Sequence, residues 1–404
     1  MRFLVLCILL PLGLVSLWGQ SNRDVTHTID SEAFGKERKI YIHLPERYEK
    51  NPLDTFSVVF ALDAQSGQYW NMAKHNVAYL VNTYQTLPLI VVGIHSDSRQ
   101  WEFIPLPEDP KAERNRKAQA HLLHQHLREE VIPLLEETYR INQERILVGH
   151  SRGGAFIAET LFSQQRDLFR AYLAISPALG HVNNQMLYHA DAQLKHGTDF
   201  RKYLYCSHGT VGNYEADFSN HVDYLDSLIT EHQNKSLVFE REILAGTDHW
   251  SVVIPSWNNG LVRMSRQFMV DLSHLEAFAK NQDRSVREQA EEFYVAAERR
   301  YGFIRFPDVR SLSFYANEFA EAGHRGLAQE VLGWGISLYP NSVRLLRNMG
   351  YLHRTHQEFA EAKYWYELAL QKLELQRDHI DEREYLEDKA NLERNIRRAE
   401  AAKE

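Results

Sequence analysis

The run "ILVGHSRGGAF" at residues 146–156 sets Ser151 between an apolar stretch and a helix-like stretch, with Gly149 two residues before it and Gly153 two after. That pattern suits a nucleophile on a tight strand-to-helix turn, where a side chain in place of either glycine would strike neighbouring backbone. Gly154 is an extra small residue. A serine hydroxyl is a weak nucleophile at neutral pH, so it needs a base within hydrogen-bond reach and a carboxylate to orient that base. In this architecture the three follow the chain order serine, acid, histidine. Among 20 histidines, His249 in "LAGTDHWSVVIPSW" stands in a polar loop after the strand-like "VFEREILA" and before a helix, where that order puts the base. The acid belongs on the loop after the preceding strand, "YLYCSHG", which offers Glu215 first and Asp217 second. Asp248 reads as a turn residue, and His208 precedes any acid in its loop, against the order. An oxyanion also needs two backbone N–H donors. Arg152 supplies one, and Ala64 or Gln65, just past the strand in "VVFALDAQSG", the other.

These residues need a sheet to hold them. The segments "RKIYIHLP", "FSVVFALD", "PLIVVGIH", "RILVGHS", "AYLAIS" and "KYLYCSHG" are short, β-branched or aromatic, and end in turn signals, as strands do. Between them, "KAQAHLLHQHLREEVIPLLEETY" and "GGAFIAETLF" carry apolar residues at helical spacing. Such alternation predicts an α/β fold, a mostly parallel sheet with helices on both faces, over residues 22–278.

Past residue 278 no strand candidate follows, and residues 279–404 read as an all-α region. An internal repeat runs through it: Leu312 pairs with Leu346, Ala316 with Gly350, Ala328 with Ala362, Leu332 with Tyr366 and Gly335 with Ala369, each 34 residues apart. Small residues at positions 316, 328 and 335 let antiparallel helices approach closely. The pattern resembles the tetratricopeptide repeat, although the second unit lacks the terminal proline and has His353 where an aromatic is commoner. Two units fall short of an independent solenoid, so 285–301 and 383–400 are expected to cap the stack or dock it on the first domain.

The N-terminus, "MRFLVLCILLPLGLVSLWGQ", has one arginine and then an apolar run interrupted by Pro11, the layout of an export signal over residues 1–19. It is too short and broken for a comfortable membrane span, with an uncleaved anchor as the alternative. The expected location is periplasmic or extracellular, with no span after cleavage. Cys7 leaves with the signal, so Cys206 has no disulfide partner and reads as a core residue. A formal net charge of -8 gives no electrostatic basis for nucleic-acid binding. His121 and His124 stand three apart on a helix without a third ligand in view, so no metal is expected.

The stretches "RKIYIHLPERY", "VVFALDAQSG", "IVVGIHSDSRQWEFIP", "LVGHSRGGAF", "LAISPAL" and "GTDHWSVVIPS" together resemble the putative-esterase family of α/β-hydrolases, which includes enterochelin esterases and S-formylglutathione hydrolases. The resemblance covers nearly all of residues 25–265. It implies the α/β-hydrolase fold, Ser151 as nucleophile, His249 as base and no cofactor. The loop bearing Glu215 is variable in the family and some relatives work with a Ser-His dyad, so the resemblance does not choose between Glu215, Asp217 and neither. Fusion to tetratricopeptide-like repeats is also known in exported bacterial proteins of this group. Two positions depart from the family: Ala64 follows Asp63 where relatives often have glycine, and Arg152 follows the nucleophile where they have an apolar residue. Arg152 favours anionic substrates or is held by a nearby carboxylate. Arg99, matching a recurring arginine, and Trp250 are candidate substrate-binding residues; of its two readings, pocket residue and loop anchor, Arg99 leans to the anchor, and Trp250 also reads as packing.

The first reading is an exported serine hydrolase acting on a small-molecule ester, whose repeats shape the rim of the site or bind a peptide. Two rivals stand beside it. One is a repeat-based scaffold carrying an inactive hydrolase domain. The other is an acyltransferase that uses the same three residues.

Overall fold

The computed structural model describes residues 23–50, 55–106, 117–281 and 283–402. The expected export signal, with Cys7, lies outside the described residues. Among the described residues eight strands form one sheet: β1 (Asp24–Ser31), β2 (Lys36–His43), β3 (Phe56–Ala61), β4 (Leu89–Ile94), β5 (Ile141–His150), β6 (Ala171–Ile175), β7 (Lys202–Gly209) and β8 (Leu237–Leu244). Their order is β1-β2-β4-β3-β5-β6-β7-β8. β1 and β2 form an antiparallel pair, β2 meets β4 antiparallel, and every later pairing is parallel.

Strands β3, β4, β6 and β7 are buried along their whole length. Helices cover both of their faces, which is why these strands read as continuous apolar runs. On one face, Phe60, Leu147, Tyr172 and Leu204 pack with helices Arg152–Leu161, Gln185–Lys195 and Asn213–His232. On the other, Val59, Val148, Leu173 and Tyr205 pack with helices Gly67–Asn82 and Val253–Phe268. β1 was not among the expected strands. It is an edge strand of alternating exposed and half-buried residues, so "DVTHTIDS" carries little apolar signal. Cys206 is buried in β7, as expected.

After β8 the chain is helical. The expected boundary at 279 falls within helix Leu272–Lys280, and the core of the helical region begins earlier, because Val270 and Leu275 already pack with Val286, Tyr294 and Leu312. Helices Val309–Glu321, Arg325–Leu338, Val343–Thr355 and Phe359–Leu375 bury all ten residues of the 34-residue pairing. At Gly350 a Cβ would lie 2.8 Å from the Tyr366 ring, so helix contact there demands glycine. His353 is buried as well, its Nδ1 2.6 Å from Glu358 Oε2 at the start of the next helix.

Helix Val286–Tyr301 docks the helical region on the sheet domain: Ala297 and Tyr301 belong to the core that covers β3 and β5, and Tyr301 Oη donates to Gln267 at 3.0 Å. Arg47 pairs with Asp308 at 2.8 Å, and Tyr84 stacks on Phe314 with centroids 5.1 Å apart. Arg305 donates to the carbonyl of Thr55, the residue before β3. These contacts gather where β3 and β4 begin and where helix Val253–Phe268 ends. Ser151, Glu215 and His249 follow the opposite ends of β5, β7 and β8. The 16 residues of Val253–Phe268 span roughly 24 Å at 1.5 Å per residue. The docking contacts of the helical region therefore lie at the other end of the sheet from Ser151.

Candidate active site

Ser151 follows β5 and occupies the N-cap position of helix Arg152–Leu161 with φ 59° and ψ −115°. Such a conformation costs a non-glycine residue about 1–3 kcal/mol and persists only where neighbours over-determine it. Here they do. The Ser151 N–H donates to Ile175 O of β6 at 2.9 Å, and the Ser151 carbonyl accepts from Ala155 at 3.1 Å and Ala178 at 3.0 Å. A Cβ at Gly149 would sit 2.7 Å from the Gly153 carbonyl carbon, and one at Gly154 would sit 2.8 Å from Pro177 Cβ. Gly153 is different, since its nearest added contacts begin at 3.5 Å. The glycines that the turn needs are thus 149 and 154, and the expectation that 153 must lack a side chain is corrected.

His249 stands in the loop between β8 and helix Val253–Phe268, and only 7% of it is exposed. Its Nδ1 lies 2.9 Å from Glu215 Oε1. Glu215 occupies the first turn of the helix that follows β7 and is 1% exposed. Its Oε2 accepts the Gly209 N–H, and its Oε1 accepts from Ser176 Oγ at 2.5 Å. Burial pushes the carboxyl upward, but hydrogen bonds from His249, Ser176 and Gly209 outweigh it and hold Glu215 below the usual glutamate range. An ionised acceptor at Nδ1 makes that nitrogen the protonated one and leaves Nε2 as the basic site.

The other acids and histidines fall elsewhere. Asp217 is exposed, with Oδ2 4.0 Å from His221 Nδ1. Asp248 caps the His249 loop, accepting from the N–H groups of Trp250 and Ser251. His208 donates to the Gly209 carbonyl. His124 is buried and bonds Thr160 Oγ1 at 2.9 Å.

The His249 ring is enclosed by His150, Tyr214, Phe218 and Trp250, with centroids 4.4, 5.1, 5.3 and 5.4 Å away. Burial, with His249 alongside, drives His150 down to about 3, so its imidazole is neutral at physiological pH. This stacking brings the end of β5 and the base loop together. Among the described residues no hydrogen bond joins Ser151 to His249. Nucleophile–base contacts commonly tighten only once substrate is bound.

The two N–H candidates beyond β3 separate clearly. Ala64 N–H donates to Ile94 O at 3.1 Å, so Ala64 drops out as an oxyanion donor. Among the described residues the Gln65 N–H has no acceptor, and its side chain is fixed by Ser96 N at 3.0 Å and Asp63 Oδ1 at 3.1 Å. Arg152 N–H is the first of its helix, where backbone donors lack intrahelical partners. The left-handed residue in the β3 loop is Asp63, at φ 64°, which is why alanine can follow it.

Arg99 grips Asp63 with two bonds, Nε to Oδ1 at 2.7 Å and Nη2 to Oδ2 at 2.9 Å, and reaches His150 O at 3.5 Å. Its guanidinium is committed to joining the β3 loop to the end of β5, which is the anchoring role rather than the substrate-binding one. Trp250 is 73% exposed beside His249, so it is free to touch a ligand. Among the described residues no carboxylate pairs with Arg152.

Two contributors escaped the sequence reading. Arg38 of β2, 1% exposed, makes a two-bond pair with Glu102 at 2.9 and 2.7 Å. Glu102 also accepts from Ser96 Oγ and from the Asp97 and Ser98 N–H groups, holding the loop that carries Arg99. Ser176 sits in the quoted "LAISPAL", but nothing in that stretch shows that it meets Glu215.

The model of the putative esterase family matches residues 31–266. No curated protein matches the chain significantly. Among solved structures, an IroE-like serine hydrolase from Shewanella oneidensis superposes with TM-score 0.64 at 22% identity, covering 78% of this chain and 99% of its own. An uncharacterised protein from Capnocytophaga ochracea aligns over 94% of this chain and 99% of its own, with TM-score 0.60 at 12% identity, so the likeness extends into the helical region. A siderophore hydrolase, EstB, from Aspergillus nidulans covers 65% of this chain and 98% of its own, with TM-score 0.52 at 18% identity. At these identities the likeness is one of fold: an α/β-hydrolase sheet followed by helices.

Proposed function

Because the chain belongs to the putative esterase family, we propose that it is an exported serine hydrolase of carboxylic esters. Ser151 Oγ attacks the ester carbonyl carbon while His249 Nε2 takes its proton. Negative charge grows on the carbonyl oxygen, where the Arg152 and Gln65 N–H groups receive it. Collapse of the adduct expels the alcohol, which His249 protonates, and leaves an acyl group on Ser151. Water, deprotonated by the same nitrogen, then releases the acid. Glu215 keeps the imidazole oriented and stabilises it when charged. The observation that carries this reading is the strained Ser151 turn beside a histidine whose Nδ1 is 2.9 Å from a buried, ionised glutamate.

An unpaired Arg152 next to the nucleophile favours an ester with a negative charge in its acyl or alcohol part. The neighbours named as siderophore hydrolases make a siderophore ester worth including among the first substrates. The apolar leader at 1–19 supports export to the periplasm or beyond. The helix pairs of the C-terminal region support tetratricopeptide-like repeats, remote from the serine and open to a peptide or protein partner.

The test is pre-steady-state turnover of p-nitrophenyl acetate and butyrate by the mature protein, beside Ser151→Ala and His249→Ala. Turnover by wild type with a loss of at least about 10³-fold in both variants is expected. Equal rates in all three proteins would leave the serine without a catalytic role.

A further inference from the structure

We infer that Ser176 is a positioning residue for the acid and base, an inference that rests on the hydrolase reading above. Ser176 follows β6 and has no exposed surface. Its hydroxyl donates to Glu215 Oε1 at 2.5 Å and lies 2.9 Å from His249 Nδ1. Since the hydroxyl proton is used on the carboxylate, the Oγ lone pair faces the imidazole. The Nδ1–H is therefore shared between Ser176 Oγ and Glu215 Oε1, each 2.9 Å away. Gly209 N–H holds the other carboxylate oxygen. Acid, base and hydroxyl form a closed triangle whose members follow β6, β7 and β8, Ser176 and His249 from loops and Glu215 from the first turn of helix Asn213–His232.

The backbone makes the hydroxyl conspicuous. Ser176 has φ 40°, a conformation that glycine adopts freely and serine only at a cost. Pro177 follows it and narrows the range further. The Ser176 N–H is fixed on Ser207 O at 2.7 Å. Glycine at 176 would relieve the strain, so the one thing serine adds here is the hydroxyl, delivered to the junction of Glu215 and His249. Without it, Glu215 Oε1 keeps a single partner and the carboxylate can rotate about its remaining bonds. Nδ1–H then loses the second acceptor that fixes the ring plane.

The experiment compares Ser176→Gly and Ser176→Ala, each alone and combined with Glu215→Gln, by ester turnover and thermal unfolding. Ser176→Gly is expected to keep or raise the melting temperature while kcat falls about 10- to 100-fold, as for loss of a hydrogen bond to a charged group. KM should stay within about twofold, since no substrate contact is removed. In the Glu215→Gln background the same change should lower kcat less than about twofold, because Ser176 acts through Glu215. Should Ser176→Gly not fold, Ser176→Ala reads the same loss. Unchanged kcat in a folded variant, or an equal fall in both backgrounds, overturns the inference. If wild type cleaves no ester, the hydrolase reading fails separately. The triangle is then read from the downfield proton resonance of His249 Nδ1–H, which Ser176→Gly shifts if the hydroxyl shares that proton and leaves in place if it does not.

Discussion

Replacing the three glycines around Ser151 by alanine, one at a time, separates the turn geometry from the sequence pattern that suggests it. At Gly149 the new methyl would meet the Gly153 carbonyl carbon at 2.7 Å, its oxygen at 2.8 Å and Leu62 Cδ1 at 2.9 Å. Two of these are backbone atoms of the helix that starts at the nucleophile, so relief requires the turn itself to open. At Gly154 the collision is with Pro177, at 2.8 and 2.9 Å, on the loop that carries Ser176. Forcing a methyl into a packed site costs about 1–3 kcal/mol, or several degrees in melting temperature for a domain of this size. The displaced nucleophile should also lose about 10- to 100-fold in kcat/KM, as small misplacements at reacting groups do. At Gly153 the contacts are ordinary, 3.5 Å to Leu62 Cδ1 and 3.6 Å to Asp63 Oδ2. Its place in helix Arg152–Leu161 means that alanine gains up to about 1 kcal/mol of helix propensity. Thermal unfolding with p-nitrophenyl ester turnover reads both effects. Gly153→Ala as damaging as Gly149→Ala, or a silent Gly154→Ala, would mean that these close approaches do not set the turn.

Two further perturbations test the framework around the site. Lys202, only 4% exposed, is pulled down to about 7 by burial, with Arg170 adding to it. The unfolded chain holds that proton to above pH 10, so this residue's contribution to stability rises between pH 7 and about 10.5 and is least favourable below pH 7. Lys202→Met should therefore be more stable than wild type by about 2–5 kcal/mol at pH 6, with the gain shrinking toward pH 10; urea unfolding at the two pH values checks it, and a pH-independent difference contradicts it. Glu102→Gln leaves Arg38 buried with only Asp97, at 3.1 Å, to balance it. The expected loss is about 3 kcal/mol in denaturant unfolding, and a loss below about 1 kcal/mol would mean that the pair does not hold the Arg99 loop.

Much of the hydrolase domain was legible because its signals are local. Strands β3, β4, β6 and β7 announce themselves through dense apolar runs and β2 and β5 through their apolar C-terminal halves, and β1 does not because water covers most of it. Ser151, His249 and Glu215 could be placed because each follows a recognisable strand in the expected order. The choice of Glu215 over Asp217 needed only the right loop, and the helix phase then turned Asp217 to solvent. Ala64 and Gln65 could not be told apart in sequence, since the answer lies in Ile94, a neighbouring strand's last residue, whose carbonyl takes the Ala64 N–H. The loop-anchoring reading of Arg99 lacked its partner, because Asp63 stands 36 residues away. Ser176 was invisible for the same reason: its partners arrive from two later loops. In the helical region the 34-residue spacing found the buried seam between helices. It carried no information on which end of the sheet those helices would cover.

Covalent labelling identifies the nucleophilic serine. Wild type is treated with a fluorophosphonate, digested, and mapped by mass spectrometry beside Ser151→Ala. One adduct per chain, on the peptide carrying Ser151 and absent from the variant, is the predicted result. No adduct, or an adduct that persists in Ser151→Ala on another residue, would contradict the account.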